Sequence, residues 1–142
     1  MMSKILVIGA GAMGSAFTFP CVDNNHKVTL IGSPLENEQI ESLKKDHFHK
    51  HLNIKISDKI KFLKAESLNE EIKNNYDVVV VGVNSKGINW ISKELNSLNS
   101  KVPVLLLTKG LTIKNDKVEI LTNLFKNPNI TAVAGPCLAK DL

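Results

Sequence analysis

Short apolar runs alternate with amphipathic stretches from one end of this chain to the other. Lys4–Ile8 is a β-branched run that stops at Gly9 and reads as a buried parallel strand. The pattern predicts a helix from residue 12 to about 24, then a second strand over Lys27–Ile31. Gly32-Ser33-Pro34 marks a turn, and residues 36–45 carry Ile40 and Leu43 on one helical face. Ile54, Ile56, Ile60 and Phe62 suggest two short strands around Ser57-Asp58. Ser67, with Glu70 three residues on, has the capping-box pattern and opens a helix to about residue 74. Residues 77–83 are almost all valine and should be a central strand. Ile88–Leu98 places Ile88, Ile91, Leu95 and Leu98 on one helical face. Residues 102–107 predict a strand, 116–125 a helix and 130–134 a last strand, before Gly135-Pro136 and the start of another helix. Strands alternating with helices predict an α/β fold, a Rossmann-type doubly wound parallel sheet with right-handed crossovers. One local rule is broken. Pro20 lies inside the first helix, where it removes the bond to the Ala16 carbonyl, so a kink over residues 16–20 or a restart at Pro20 is expected.

The first turn carries candidate chemistry. Gly9-Ala10-Gly11-Ala12-Met13-Gly14 is a GxGxxG that follows a strand and opens a helix, the setting a dinucleotide fingerprint requires. Gly9 would make the tight turn, Gly11 would let the backbone approach a pyrophosphate, and Gly14 would let helix and strand pack closely. The amides of residues 11–13 would then face phosphate at the positive end of the helix dipole. An Asp or Glu ending the second strand would bind a ribose 2′-hydroxyl and favour NAD. Gly32-Ser33-Pro34 stands there instead, with Glu36 and Glu38 further on where a helix begins. Ser33 can hydrogen-bond a 2′-phosphate, so NADP or use of both cofactors is expected, although no arginine is present to clamp that phosphate.

Composition narrows the classes. The chain has 142 residues, one domain by length, with 43% hydrophobic and 5% aromatic residues. Net charge is +4, yet every basic side chain is lysine and the lysines are interleaved with acids, so no nucleic-acid stripe forms. Cys21 and Cys137 lie far apart and have no zinc-ligand spacing. No run is long and apolar enough to cross a membrane, and Ile5–Ile8 ends in a glycine turn rather than a cleavage site. The chain therefore reads as cytoplasmic. His47, His49 and His51 sit in a polar stretch and read as surface residues.

Three further segments fall at strand exits, on the edge where open α/β sheets bind ligands. They are Gly82-Val83-Asn84-Ser85, Thr108-Lys109-Gly110-Leu111 and Ala134-Gly135-Pro136-Cys137-Leu138-Ala139-Lys140-Asp141. With the glycine turn, their order and spacing along the whole chain resemble bacterial-type glycerol-3-phosphate dehydrogenase. The resemblance implies cofactor contacts at Gly9, Gly11, Ala12, Met13, Gly14, Ser33, Asn84, Lys109 and Ala139, and substrate contacts at Lys109, Gly135 and Cys137. Cys137 departs from the Ser or Thr usual there, and a thiol is the weaker hydrogen-bonding group. The activity implied is hydride exchange between NAD(P)H and dihydroxyacetone phosphate, giving glycerol 3-phosphate. In that family further strands and an all-helical domain follow, and the helical domain supplies a general-base lysine. The stretch at hand is then an N-terminal NAD(P)-binding domain over residues 1–142, incomplete at its C-terminal end, with no catalytic base and no metal site. Marginal stability or a homo-oligomer is expected from the sheet edge such a piece would leave uncovered. A ketopantoate reductase or another hydroxyacid dehydrogenase is a rival reading, and a non-catalytic dinucleotide-binding fragment is another.

Overall fold

Lys4–Ile8 forms β1, whose last three residues are fully buried because strands flank it on both sides and helices cover both faces. The computed structural model describes residues 1–135. After β1 come α1 (Ala12–Asp23), β2 (Lys27–Ile31), α2 (Asn37–Asp46) and a small hairpin of β3 (Phe48–His49) and β4 (Ile54–Lys55). Then follow β5 (Lys61–Leu63), α3 (Leu68–Glu71), β6 (Val78–Val81), α4 (Ile88–Leu98) and β7 (Val104–Leu106). A second hairpin, β8 (Leu111–Lys114) with β9 (Lys117–Ile120), precedes β10 (Ile130–Ala132).

Six strands pair in parallel in the order β10-β7-β6-β1-β2-β5. The chain winds outward from β1 through β2 to β5, returns to β6 beside β1, and winds the other way. That reversal puts helices on opposite faces and opens a crevice at the carboxyl ends of β1 and β6. Alternate residues of each strand feed opposite cores. Ile5, Val7 and Leu30 pack with Cys21 of α1 and with Ile40 and Leu43 of α2. Leu6, Ile8, Val79 and Val81 pack with Ile88, Ile91 and Leu95 of α4. Burying one such side chain contributes roughly 1.5–3 kcal/mol.

Pro20 does not restart the first helix. α1 runs continuously through it, and the backbone and side-chain amides of Asn24 both close on the Pro20 carbonyl, at 3.2 and 2.8 Å. Burial of Ala16, Thr18 and Cys21 holds the helix against the one lost bond.

Three other elements differ from expectation. Residues 116–125 are not a helix. Asn115 and Asp116 both adopt positive φ (50° and 57°) and form a two-residue turn between β8 and β9, and a short 3₁₀ turn over Leu121–Leu124 follows. The apolar spacing of Val118, Leu121 and Phe125 resembled a helix, but turn chemistry decided the local structure. Ser67 makes no cap bond. It ends a 3₁₀ turn with φ −79° and ψ −9°, helical rather than extended, so its hydroxyl cannot reach forward, and α3 is only four residues long. The strands expected around Ser57-Asp58 separate: Ile54 lies in the small hairpin, while Phe62 lies in β5 at the edge of the main sheet.

Candidate functional site

The glycine turn sits at the crevice. Gly9 has φ +110°, and a β-carbon on it would lie 2.6 Å from the backbone of Gly82 and Val83. A β-carbon on Gly14 would overlap the Gly9 carbonyl, and one on Gly82 would lie 2.7 Å from the Gly14 Cα. Gly9, Gly14 and Gly82 thus form one backbone-to-backbone contact where β1, α1 and β6 meet. The sequence places Gly82 at a strand exit, but its contact with Gly9 and Gly14 is not legible there. Gly11 differs, since the only atom near its virtual β-carbon is the Glu36 Oε1, at 3.3 Å. Gly11 caps α1, and the first helical bond runs from the Ser15 amide to its carbonyl at 3.0 Å. The amides of residues 12–14 therefore have no acceptor within the helix, and no acidic residue occupies its first turn.

Gly11, Ala12 and Met13 line a cleft of about 610 Å³, whose other wall is Gly82, Val83, Asn84, Thr108 and Lys109. The Thr108 hydroxyl donates to the Val83 carbonyl at 2.7 Å and ties the two strand exits together. The Asn84 Oδ1 accepts from the amides of Lys86 and Gly87 at 3.0 and 3.1 Å, so this side chain shapes the loop that enters α4. The Lys109 ammonium donates to the Gly135 carbonyl at 2.7 Å. That bond joins two of the three substrate-binding candidates across the exits of β7 and β10. Beside it, Thr108, Lys109, Gly110 and Gly135 share a second cleft of about 340 Å³. Gly110 and Gly135 adopt φ +126° and +123°, and a β-carbon on either would meet nothing within 4 Å among the described residues. Cys137 and Ala139 lie outside the described residues.

At the other end of the main cleft, Ser33 is buried and is not among the residues lining these clefts. Its amide donates to the Glu36 Oε2 at 2.7 Å, and the Ala10 amide donates to the same oxygen at 2.8 Å. The carbonyl of Ala10 is held as well. Leu52 donates its amide to His49 Nδ1 at 3.2 Å, so Nε2 carries the proton and donates to the Ala10 carbonyl at 3.0 Å. His49 is fully buried, and that burial pushes its pKa below the ordinary histidine value, which keeps the ring neutral. The expectation that all three histidines lie on the surface fails here: His51 is exposed, His47 half-buried and His49 wholly enclosed. A two-residue strand carries no periodicity that would have revealed it. A third cleft, about 360 Å³, continues from Ala10, Gly11 and Glu36 toward Glu38, Lys50 and His51.

The sequence profile of the NAD-dependent glycerol-3-phosphate dehydrogenase N-terminus matches residues 4–142. The chain belongs to this family. An NADP(+)-dependent glycerol-3-phosphate dehydrogenase of Archaeoglobus fulgidus is 27% identical over 97% of the chain and 42% of its own length. A glycerol-3-phosphate dehydrogenase [NAD(P)+] of Streptococcus agalactiae is 34% identical, with 97% and 42% covered. The chain thus spans about two-fifths of the length of these relatives. Among solved structures, glycerol-3-phosphate dehydrogenase from Coxiella burnetii superposes with a TM-score of 0.78 at 17% identity, over 99% of this chain and 43% of that one. The Plasmodium falciparum glycerol-3-phosphate dehydrogenase gives 0.77 at 18%, over 99% and 42%. A pyrroline-5-carboxylate reductase from Coxiella burnetii gives 0.65 at 16%, over 99% and 47%. At these identities the structural likeness is one of fold.

The crevice fits a dinucleotide on its own geometry. Gly11 leaves room that a β-carbon would fill, the first amides of α1 have no helical acceptor, and the cleft crosses the point where the winding reverses. Among the described residues no group of three or more His, Cys, Asp or Glu side chains could hold a metal ion, and no helix is long and apolar enough to cross a membrane.

Proposed function

We propose that residues 1–142 are the N-terminal dinucleotide-binding domain of an NAD(P)-dependent glycerol-3-phosphate dehydrogenase that interconverts dihydroxyacetone phosphate and sn-glycerol 3-phosphate. The observation that carries this reading is the cleft itself. One end is the glycine turn and the start of α1; the other is Lys109 bonded to Gly135. When bound, the nicotinamide would give a hydride to the ketone carbon or take it back from the alcohol. The chain's own residues bind and orient. Amides at Ala12 and Met13 meet the pyrophosphate, and close backbone contact at Gly9, Gly14 and Gly82 fixes that cradle. Lys109 brings a compact cation to the substrate end, where an anionic phosphate or a polarised oxygen would sit. Gly135 allows close approach there, and the family resemblance adds Cys137 for substrate and Ala139 for cofactor. The proton that accompanies the hydride is assigned to the part of such enzymes that lies beyond the matched region. A small phosphorylated substrate, no nucleic acid, a cytoplasmic setting and assembly with a second copy complete the reading.

Nicotinamide fluorescence of NADH, titrated with the chain, tests it. Saturable binding is expected, and Gly11→Asp should weaken it by roughly a hundredfold or more while the fold is kept, since a carboxylate there meets the pyrophosphate directly. Equal affinity in the variant, or no binding by a folded chain, would refute the reading. Oxidation of NADH upon addition of dihydroxyacetone phosphate separates an enzyme from a chain that only holds the cofactor.

A further inference from the structure

By position in the sequence, the end of β2 offers no carboxylate to a ribose. In space it does. The turn over residues 32–34 folds the chain back, and the Glu36 amide closes it on the Ser33 carbonyl at 2.9 Å. Gly32 makes the turn tight, because a β-carbon on it would lie 2.6 Å from the Ile40 Cγ1 of α2. The Glu36 carboxylate is thereby returned to the glycine turn. Its Oε2 takes the amides of both Ala10 and Ser33, so the group is fixed at two points rather than swinging in solvent. Its Oε1 lies over Gly11. Glu36 also lines both the 610 Å³ and the 360 Å³ clefts and so stands where they join, one side chain along from the pyrophosphate cradle.

We propose that Glu36 selects the cofactor. It accepts hydrogen bonds from the free vicinal diol of an adenosine ribose and repels a 2′-phosphate, so the cleft takes NAD(H) in preference to NADP(H). This rests on the reading of the cleft as a nicotinamide-dinucleotide site. A carboxylate is acceptor-only, which suits two hydroxyl donors and opposes a phosphate that brings only acceptors and like charge. The surrounding charge agrees. Glu38 adds a second carboxylate to the 360 Å³ cleft, against Lys50 as the one lysine among its described lining residues, with His51 beside it. Lys50 and His51 are exposed on the turn between β3 and β4, whereas Glu36 is anchored. Ser33, the sequence candidate for this role, is left as a backbone anchor for Glu36.

The test is a pair of equilibrium titrations, NADH and NADPH, read by nicotinamide fluorescence at one ionic strength, on the chain and on Glu36→Gln. Both amides bond one carboxylate oxygen, so a glutamine oxygen can keep them while the charge is removed. The unmodified chain should bind NADH at least roughly tenfold more tightly than NADPH, and the ratio should collapse in Glu36→Gln, chiefly through a gain for NADPH. A readout that needs no variant is displacement of NADH from the unmodified chain, where 5′-AMP should compete and adenosine 2′,5′-bisphosphate should not. NADPH binding as tight as NADH, a ratio unchanged in Glu36→Gln, or better competition by the bisphosphate would overturn the assignment. A folded chain that bound neither dinucleotide would instead overturn the reading of the cleft, and this assignment with it.

Discussion

The two ends of the cleft are built on different principles. At the end formed by residues 9–36, backbone meets backbone through Gly9, Gly14 and Gly82, and Ala10 is gripped at its amide by Glu36 and at its carbonyl by His49. The backbone of this end is thus fixed before a phosphate arrives, with the Glu36 Oε1 at 3.3 Å from the position of a Gly11 β-carbon. At the end formed by residues 109–135, a β-carbon on Gly110 or Gly135 would meet nothing within 4 Å among the described residues, and the neighbouring β8–β9 hairpin is not hydrogen-bonded into the main sheet among them. One face of that hairpin exposes Leu111 (66%), Ile113 (75%), Val118 (68%) and Ile120 (58%), while Thr112, Lys114, Lys117 and Glu119 alternate with them. Apolar area of this kind favours association. The contrast teaches where each half of the chemistry resides. The end at the glycine turn is held through close backbone contact, and the end at Lys109 and Gly135, which the proposed reading gives to substrate, has fewer such contacts among the described residues.

The sharpest way to break the comparison is a methyl-sized intrusion at each end. Gly14→Ala drives a methyl carbon into the Gly9 carbonyl, where only backbone could yield, and should cost about 3 kcal/mol or more in chemical denaturation. Gly110→Ala meets no atom within 4 Å among the described residues and suffers its positive φ, at about 1–2 kcal/mol. Equal losses would show that the two ends are not packed differently.

The next effect is pH-dependent and belongs to the cofactor end. His49 is buried neutral with a folded-state pKa below its ordinary value of 6.5. The unfolded chain therefore takes up the proton more readily. The stabilisation should be fully present above about pH 6.5 and be lost as pH falls through the lowered value. Glu36 partly favours the charged ring and His51 opposes it, but burial dominates. Melting temperature followed from pH 7.5 downward should fall, and His49→Gln should flatten that part of the profile. An unchanged slope in the variant would remove His49 from the account.

The smallest effect on stability is expected at the other end. Ile113→Lys on the exposed hairpin face should change unfolding free energy by no more than about 0.5 kcal/mol. It should nevertheless reduce self-association seen by sedimentation velocity. A loss much larger than that would mean the hairpin face is packed rather than open.

These differences explain what could be read from the sequence. Five of the six main strands were legible in outline, because each falls in a short, largely apolar run; β5 was not, since Ile54, Ile56, Ile60 and Phe62 read as two strands around Ser57-Asp58. The glycine turn was legible because strand, GxGxxG and helix follow one another directly. The hairpin at residues 111–120 was not, because Val118, Leu121 and Phe125 mimic a helical face and the Asn115-Asp116 turn outweighs them. Glu36 and His49 were missed for a different reason. Each acts on Ala10 from across the fold, 26 and 39 residues away, and no local pattern records such a contact. Lys109 and Gly135 were each named by resemblance as substrate contacts, and the hydrogen bond between them was not legible in the sequence.

The most direct test of the central claim is a two-dimensional amide NMR titration of the isotope-labelled chain with NADH. The account predicts saturable shifts concentrated at the amides of Ala10, Gly11, Ala12, Met13 and Ser33, with those of residues 111–120 nearly still. Shifts confined to the hairpin or scattered over the surface, with the glycine turn unmoved, would contradict it.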